Sequence, residues 1–290
     1  MILNIFEKFL DFITYRVETA PESYGPLHLF MLLLIICFTV LLCISFKDAS
    51  DRRFRRLLLV LWCILVVGEL YHQTCFFFGV EGGVAVWEYQ WYKFPFQFCA
   101  TPLYILPLAI FPKSERLRSR ALAFMSTFSL FAGLAVIIYP NDVFTTIIGA
   151  SVQSLVHHGL QVVIGITIAT HERKRFNTRF FLGGVPIFII LITLAMIINI
   201  VGYHLLQSAG MNDDFNMFYV SPYFDCTLPV LSDLYPILPY PVFLIVYILG
   251  FVGVAALVFY LQKLIFDFKA ISSAIVAKFN SVKDLGYAKK

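Results

Sequence analysis

The sequence predicts an all-α, polytopic membrane protein of seven transmembrane helices, with the N-terminus outside and the C-terminus cytoplasmic, and three observations predict it. Of the 290 residues, 60% are hydrophobic and only 14% charged, with a mean hydropathy of +0.82. So few charges cannot cover the surface of a soluble fold of this size. Measured against the roughly 20 mostly apolar residues that cross a hydrocarbon core, the chain holds seven candidate spans. Assigning those spans puts 19 of the 22 Lys and Arg residues on one side, the asymmetry that short cytoplasmic loops carry.

Residues 1–26 come first. They lack the basic start and small-residue cleavage site of a signal peptide, and Glu7, Asp11, Glu18 and Glu22 make them acidic. Ile2, Phe6, Phe9 and Ile13 instead give one apolar face of a helix lying on the outer interface. The transmembrane domain follows over 27–265, with spans at 27–46, 57–80, 94–112, 119–139, 146–170, 180–205 and 237–265. The third is short and interrupted by Pro102 and Pro107, so the fallback count is six.

Between these spans the charges alternate. Lys47, Arg52, Arg53, Arg55 and Arg56 fall in the first loop, Lys113, Arg116, Arg118 and Arg120 in the third, and Arg173, Lys174, Arg175 and Arg179 in the fifth. The six lysines from Lys263 onward join them, leaving Lys8, Arg16 and Lys93 for the other side. Glu81, Glu88, Asp142, Asp213, Asp214, Asp225 and Asp233 lean outward. The basic tail, 266–290, carries Ile271, Ile275 and Phe279 beside Lys269 and Lys278, the pattern of an inner interfacial helix.

A net charge of +4 is therefore accounted for by orientation and by anionic head groups, and nucleic acid is not an expected partner. Of the six cysteines, Cys37, Cys43 and Cys63 fall in apolar spans and read as core packing. Cys75, Cys99 and Cys226 map toward the outer side, where an oxidised pair is open to them. No CxxC or comparable metal spacing occurs, and no cofactor is expected.

Ionisable groups inside spans are costly, which makes each one a candidate site residue. Glu69 and His72 are three apart on one face of the second span, with Gln73 beside them. Gln153, His157 and Gln161 recur every four residues in the fifth, drifting only about 40° per step. Ser154 and His158 occupy the neighbouring stripe, and Asn199 and His204 lie near the outer end of the sixth span. Gln97 and Cys99 open the third. Helical rise puts His157 roughly 15 Å and Cys99 roughly 8 Å below the outer surface, so four helices contribute to a polar site in the outer half. The amides Gln153, Gln161 and Asn199 are as readily interhelical hydrogen bonds, and Glu69 with His72 as readily a structural pair.

Three stretches carry a resemblance: "FQFCATPLY" from Phe96, "LVHHGLQ" from Leu155 and "NMFYVSPYF" at 216–224. They resemble the YwaF-type family of bacterial integral membrane proteins, which is similar to the transmembrane protein 164 family of membrane acyltransferases. The resemblance implies a seven-helix fold in which a cysteine carries an acyl group as a thioester and a histidine assists. The fatty acyl chain then moves to or from a (lyso)phospholipid-type acceptor, with membrane phospholipids as substrate. By position the cysteine is Cys99 and the histidine His157 or His158. In the animal pattern a histidine follows the cysteine directly, and here Ala100 does. On this reading the histidine activates the thiol, Glu69 and His72 support it, and Gln97, Gln153, Gln161 or Asn199 contact the oxyanion or substrate.

Two other functions fit the same residues. A zinc-dependent membrane hydrolase would hold its metal on some of His72, His157, His158 and His204 with Glu69, leaving one position for water. A small-molecule or proton-coupled transporter or sensor would use Glu69, His72 and the fifth-span histidines as a relay. Against a carrier, the chain shows no internal repeat.

Overall fold

The computed structural model describes residues 2–81, 84–140 and 143–287, with side chains over 5–79, 84–140 and 143–268. The expectations for Ile2, Glu81, Asp142, Lys269, Ile271, Ile275, Lys278 and Phe279 as side chains fall outside these limits.

α1 (Ile2–Ile13) is the expected N-terminal helix. Leu10 and Ile13 are buried and Phe6 packs edge-on against Phe78, while Ile5, Phe9 and Phe12 are exposed on the opposite face. Phe9 thus belongs to the outer stripe. α2 (Pro26–Phe46) starts with Pro at its first position, where the missing N–H costs no hydrogen bond. It lies at the edge of the bundle and packs on α7 (Ile148–His171).

α3 (Asp51–Phe77) begins six residues before its apolar stretch, because the charged segment from Asp51 to Arg56 continues as helix, with an acidic residue at the positive end. It also stops earlier than the expected 80. Its end turns into a hairpin of β1 (Phe78–Glu81) and β2 (Val84–Trp87), antiparallel with Phe78 opposite Trp87 and Glu81 opposite Val84. This small hairpin is a local addition to an otherwise all-α protein. Aromatic and β-branched residues favour a pleated surface, and Phe77 packs edge-on against Trp87 at 4.9 Å.

The third expected span, 94–112, is helical only in part. A 3₁₀ turn, Phe98–Ala100, leads into α4 (Pro102–Ile110). Pro107 cannot donate to the carbonyl four residues before it; that carbonyl, on Leu103, accepts instead from the Trp62 indole at 2.9 Å. α5 (Glu115–Phe124) runs through a π turn, Met125–Ser129, into α6 (Leu130–Ile138). α8 (Thr178–Ser208), a short α9 (Leu231–Leu234) and α10 (Tyr240–Tyr287) complete the chain.

Five of these elements are long and apolar enough to cross a membrane: α2, the run Glu115–Ile138, α7, α8 and Tyr240–Phe268 of α10. A shorter apolar helix covers Phe98–Ile110. α7 sits among α2, α3 and α6. Its approach to α6 needs Gly133, where a Cβ would lie 2.7 Å from both Gln161 Cβ and His158 O; small residues are what allow backbones this close.

The three basic loops meet at one end of the bundle. Asp51 accepts from Arg55 at 2.7 Å and forms an ion pair with the buried Arg118 at 2.6 Å, and Arg55 also reaches Glu115 at 3.2 Å. Glu172, buried, accepts from His171 at 3.1 Å and from Arg175. Arg173 pairs with Asp48, and the His171 ring stacks on Phe54 at 3.8 Å.

All six cysteines are free thiols. Cys75 and Cys226 are buried. Cys37 and Cys63 are exposed on the bundle surface rather than packed in a core, because α2 and α3 present those faces outward. Cys43 accepts from Thr170 at 3.4 Å.

Candidate functional site

The 3₁₀ turn at Phe98–Ala100 is fixed from two sides. On one side the carbonyl oxygen of Cys99 accepts from His157 Nε2 at 3.0 Å and from Gln161 Nε2 at 2.6 Å. The spacing of four on α7 puts these donors one turn apart on a single face, so both converge on one acceptor. His157 and Gln161 are buried and Cys99 is half-buried. Because Nε2 of His157 donates to a carbonyl, its Nδ1 holds the lone pair.

On the other side lies the segment after α8. A 3₁₀ turn, Met217–Tyr219, follows Asn216, and both Phe218 and Tyr219 adopt positive φ, 59° and 56°. Such backbone persists in non-glycine residues only when its surroundings impose it, and four side chains do so. Gln97 donates to Asn216 O at 3.0 Å and accepts from Phe218 N at 2.9 Å. Asn199 donates to Met217 O at 2.9 Å and accepts from Met217 N at 2.6 Å. Tyr247 donates to Phe218 O and Tyr240 to Val220 O. The Phe218 ring, fully buried, then packs edge-on against Phe98 at 5.4 Å. "NMFYVSPYF" is a plug that locks the cysteine turn.

Behind His157 stands the α3 pair. Glu69 Oε1 accepts from Gln73 Nε2 at 2.6 Å, and the same amide donates to Lys93 O at 2.8 Å. Tyr89 donates to Gln73 Oε1 at 3.1 Å. His72 Nδ1 lies 3.9 Å from Glu69 Oε1, beyond hydrogen-bond reach. Gln73 rather than His72 is thus the partner that orients Glu69. Gln153 packs beside Gly68, where a Cβ would sit 3.6 Å from its Nε2.

His158 turns away. Its Nδ1 bonds Ser154 O at 2.8 Å, and its ring meets that of His157 edge-on at 5.5 Å. His204 is elsewhere, bonded to the Tyr223 hydroxyl at 3.2 Å. Among the described residues no three His, Cys, Asp or Glu side chains converge to hold a metal ion, so the zinc alternative lacks a ligand set.

Three buried polar atoms of the cluster have no hydrogen-bond partner: His157 Nδ1, His72 Nδ1 and Gln161 Oε1. Buried polar atoms are nearly always paired, so these three are exceptions within the cluster. The expected residues thus divide. Cys99, His157 and Gln161 share one carbonyl; Glu69, His72 and Gln153 lie on the flank; Gln97 and Asn199 serve the plug.

Tyr89, the main-chain carbonyl of Lys93 and the plug backbone were not foreseen. The first two come from the segment between α3 and the third expected span, where a hairpin and a 3₁₀ turn, Trp91–Lys93, leave no sustained periodicity to signal which way a side chain points.

The TMEM164 family model matches residues 23–263 of the chain. No curated protein and no solved structure matches it.

Proposed function

Because the chain belongs to the TMEM164 family and is an integral multi-pass membrane protein with several long apolar helices, we propose that it is a lipid acyltransferase in which Cys99 carries the acyl group and His157 is the base. The observation that carries this reading is the pair of hydrogen bonds from His157 and Gln161 to the carbonyl of Cys99 itself. They hold a histidine with a free Nδ1 against the peptide of the one cysteine in the polar cluster.

The reaction needs no co-reactant. In the first half, the Cys99 side chain turns its thiol to the unpartnered Nδ1 of His157, which takes the proton, and the sulfur attacks an ester carbonyl of a phospholipid. The tetrahedral oxyanion collapses to a thioester, and the leaving alkoxide takes the proton back from His157 to depart as a lysophospholipid. In the second half, Nδ1 removes the proton of an acceptor hydroxyl, whose oxygen attacks the thioester; the tetrahedral intermediate expels the Cys99 thiolate, which takes that proton back from His157 to restore the thiol. Gln161, Gln153 and the N-terminal end of α4 are the polar groups available to a developing negative charge. Glu69, held by Gln73, contributes a compensating negative charge beside His157 when it becomes an imidazolium. His72 stands beside Glu69 on α3, and the His158 ring packs edge-on against that of His157. Gln97 and Asn199 act at one remove, through the plug.

We also read seven spans, with the N-terminus outside. α3 spans about 40 Å at 27 residues, enough to cross. Phe98–Ile110 covers only roughly 20 Å as helix, and the irregular residues 94–97 supply the remaining depth. Irregular backbone at that depth is tolerated when protein satisfies it; Tyr104 bonds Pro95 O there, and Gln97 bonds the plug.

The test is acyl labelling in membranes or micelles, using phospholipids with an alkyne-tagged fatty acyl chain. Wild type should acquire a label that neutral hydroxylamine removes; Cys99→Ser should acquire none, and His157→Ala should slow labelling at least a hundredfold. A label on folded Cys99→Ser equal to that on wild type would end the thioester reading.

A further inference from the structure

At the arginine-rich end of the bundle lies a cleft of about 330 Å³ between α3 and the end of α4, lined by Asp51, Arg52, Arg55, Arg56, Leu59 and Ile110. Its charges are not equivalent. Asp51 is paired with Arg55 and Arg118, and Arg55 is spent on Asp51, Glu115 and the carbonyls of Ile110 and Pro112. Arg52 and Arg56 are exposed and have no hydrogen-bond, ion-pair or ring partner among the described residues. They are four apart, so both guanidinium groups stand on one stripe of α3. Continued by the same step, that stripe reads Val60 and Ile64, both exposed apolar side chains.

We propose that this cleft is a binding site for a glycerophospholipid with an anionic head group, its phosphate between Arg52 and Arg56 and an acyl chain laid along Val60 and Ile64. The stripe switches from two unpaired cations to two apolar side chains within one helical turn, which is the order of groups along such a lipid. Guanidinium forks match phosphate oxygens bidentately, and basic pockets between helices are where anionic head groups are held. The apolar floor of Leu59 and Ile110 favours a lipid over a free phosphate ion, which has nothing to set against it. The site is separate from the cysteine cluster: Arg56 and Glu69 are about 20 Å apart along α3 by helical rise. It therefore stands whether or not acyl transfer does.

The test uses the full-length chain in neutral detergent micelles, titrated with dioctanoyl phosphatidylglycerol, dioctanoyl phosphatidylcholine or inorganic phosphate. Binding is followed by native mass spectrometry and by the shift in unfolding temperature. Arg52→Gln/Arg56→Gln should weaken phosphatidylglycerol binding about thirtyfold, while Lys113→Gln/Arg116→Gln, which removes the same charge at the same end, should leave it unchanged. Phosphatidylcholine and inorganic phosphate should bind far more weakly than phosphatidylglycerol. Both arginines are exposed and unpartnered, so the lipid-free variant should unfold at the wild-type temperature. Equal weakening by the two double variants would reduce the effect to diffuse charge and overturn the site. Inorganic phosphate binding as tightly as the lipid, and lost in the Arg52/Arg56 variant, would overturn the lipid assignment.

Discussion

The carbonyl oxygen of Cys99 accepts from two side chains whose other polar atoms are left over, His157 Nδ1 and Gln161 Oε1. Replacing Gln161 by leucine keeps the volume and removes one donor. Cys99 labelling should fall about tenfold, the value of one net hydrogen bond in rate terms, with unfolding temperature little changed because the orphaned Oε1 goes too. An unchanged labelling rate in a folded Gln161→Leu would show that this hydrogen bond does not position the cysteine. A second prediction belongs to the opposite end. Burial pushes the Glu172 carboxyl up, but hydrogen bonds from His171 and Arg175 and their charges outweigh it and hold its pKa below the usual carboxylate range. A carboxyl with a depressed folded pKa stabilises above its unfolded value, and that stability is lost as pH falls through the folded one. Wild type should thus lose stability as pH drops below the ordinary glutamate value of about 4.3, while Glu172→Gln should start about 1–3 kcal/mol lower at neutral pH and show less of the acid-dependent loss. Thermal unfolding in micelles across pH reads both.

Helix packing sets where those atoms stand. Gly133 of α6 faces Gln161 Cβ and His158 O with no room for a methyl group, so Gly133→Ala must push α7 away or turn Gln161 from Cys99. Overpacking of this kind costs about 1–3 kcal/mol, and here labelling should drop further than Gln161→Leu alone because both donors move. Folded Gly133→Ala with wild-type labelling would mean α7 can shift without cost to the site. The long apolar helices and the stripe Gln153–His157–Gln161 were legible because hydropathy and a period near 3.6 are local properties. What Gln97 and Asn199 do was not. An amide at the edge of a span reads the same whether it meets substrate or a backbone, and only the positive-φ turn at Phe218 and Tyr219, 18 or more residues away in sequence from either amide, decides that here. The hairpin after α3 was missed for a similar reason: Phe77 to Trp87 is apolar enough to extend a span, and pairing rather than composition makes it a sheet.

At the scale of the whole molecule, the three basic loops share one end through Arg173 with Asp48, Arg118 with Asp51 and Arg55 with Glu115. An even number of crossings therefore separates the loop after α2 from the loop after α4, and again from the loop after α7. The proposed seven-span reading meets this by counting both α3 and the short helix Phe98–Ile110 as crossings. Lys or Arg excess near spans is retained in the cytoplasm, so the proposed topology predicts that this end faces inward and that the loop after α8, with Asp213 and Asp214, faces outward. Single cysteines at Asp214 and Lys174 test it in intact cells, in a background where Cys37 and Cys63 are replaced by serine. A membrane-impermeant thiol reagent should modify Asp214→Cys at once and Lys174→Cys only after permeabilisation. Labelling of Lys174→Cys in intact cells would reverse the orientation. Protection of both sites until permeabilisation would mean that α8 does not separate the two loops.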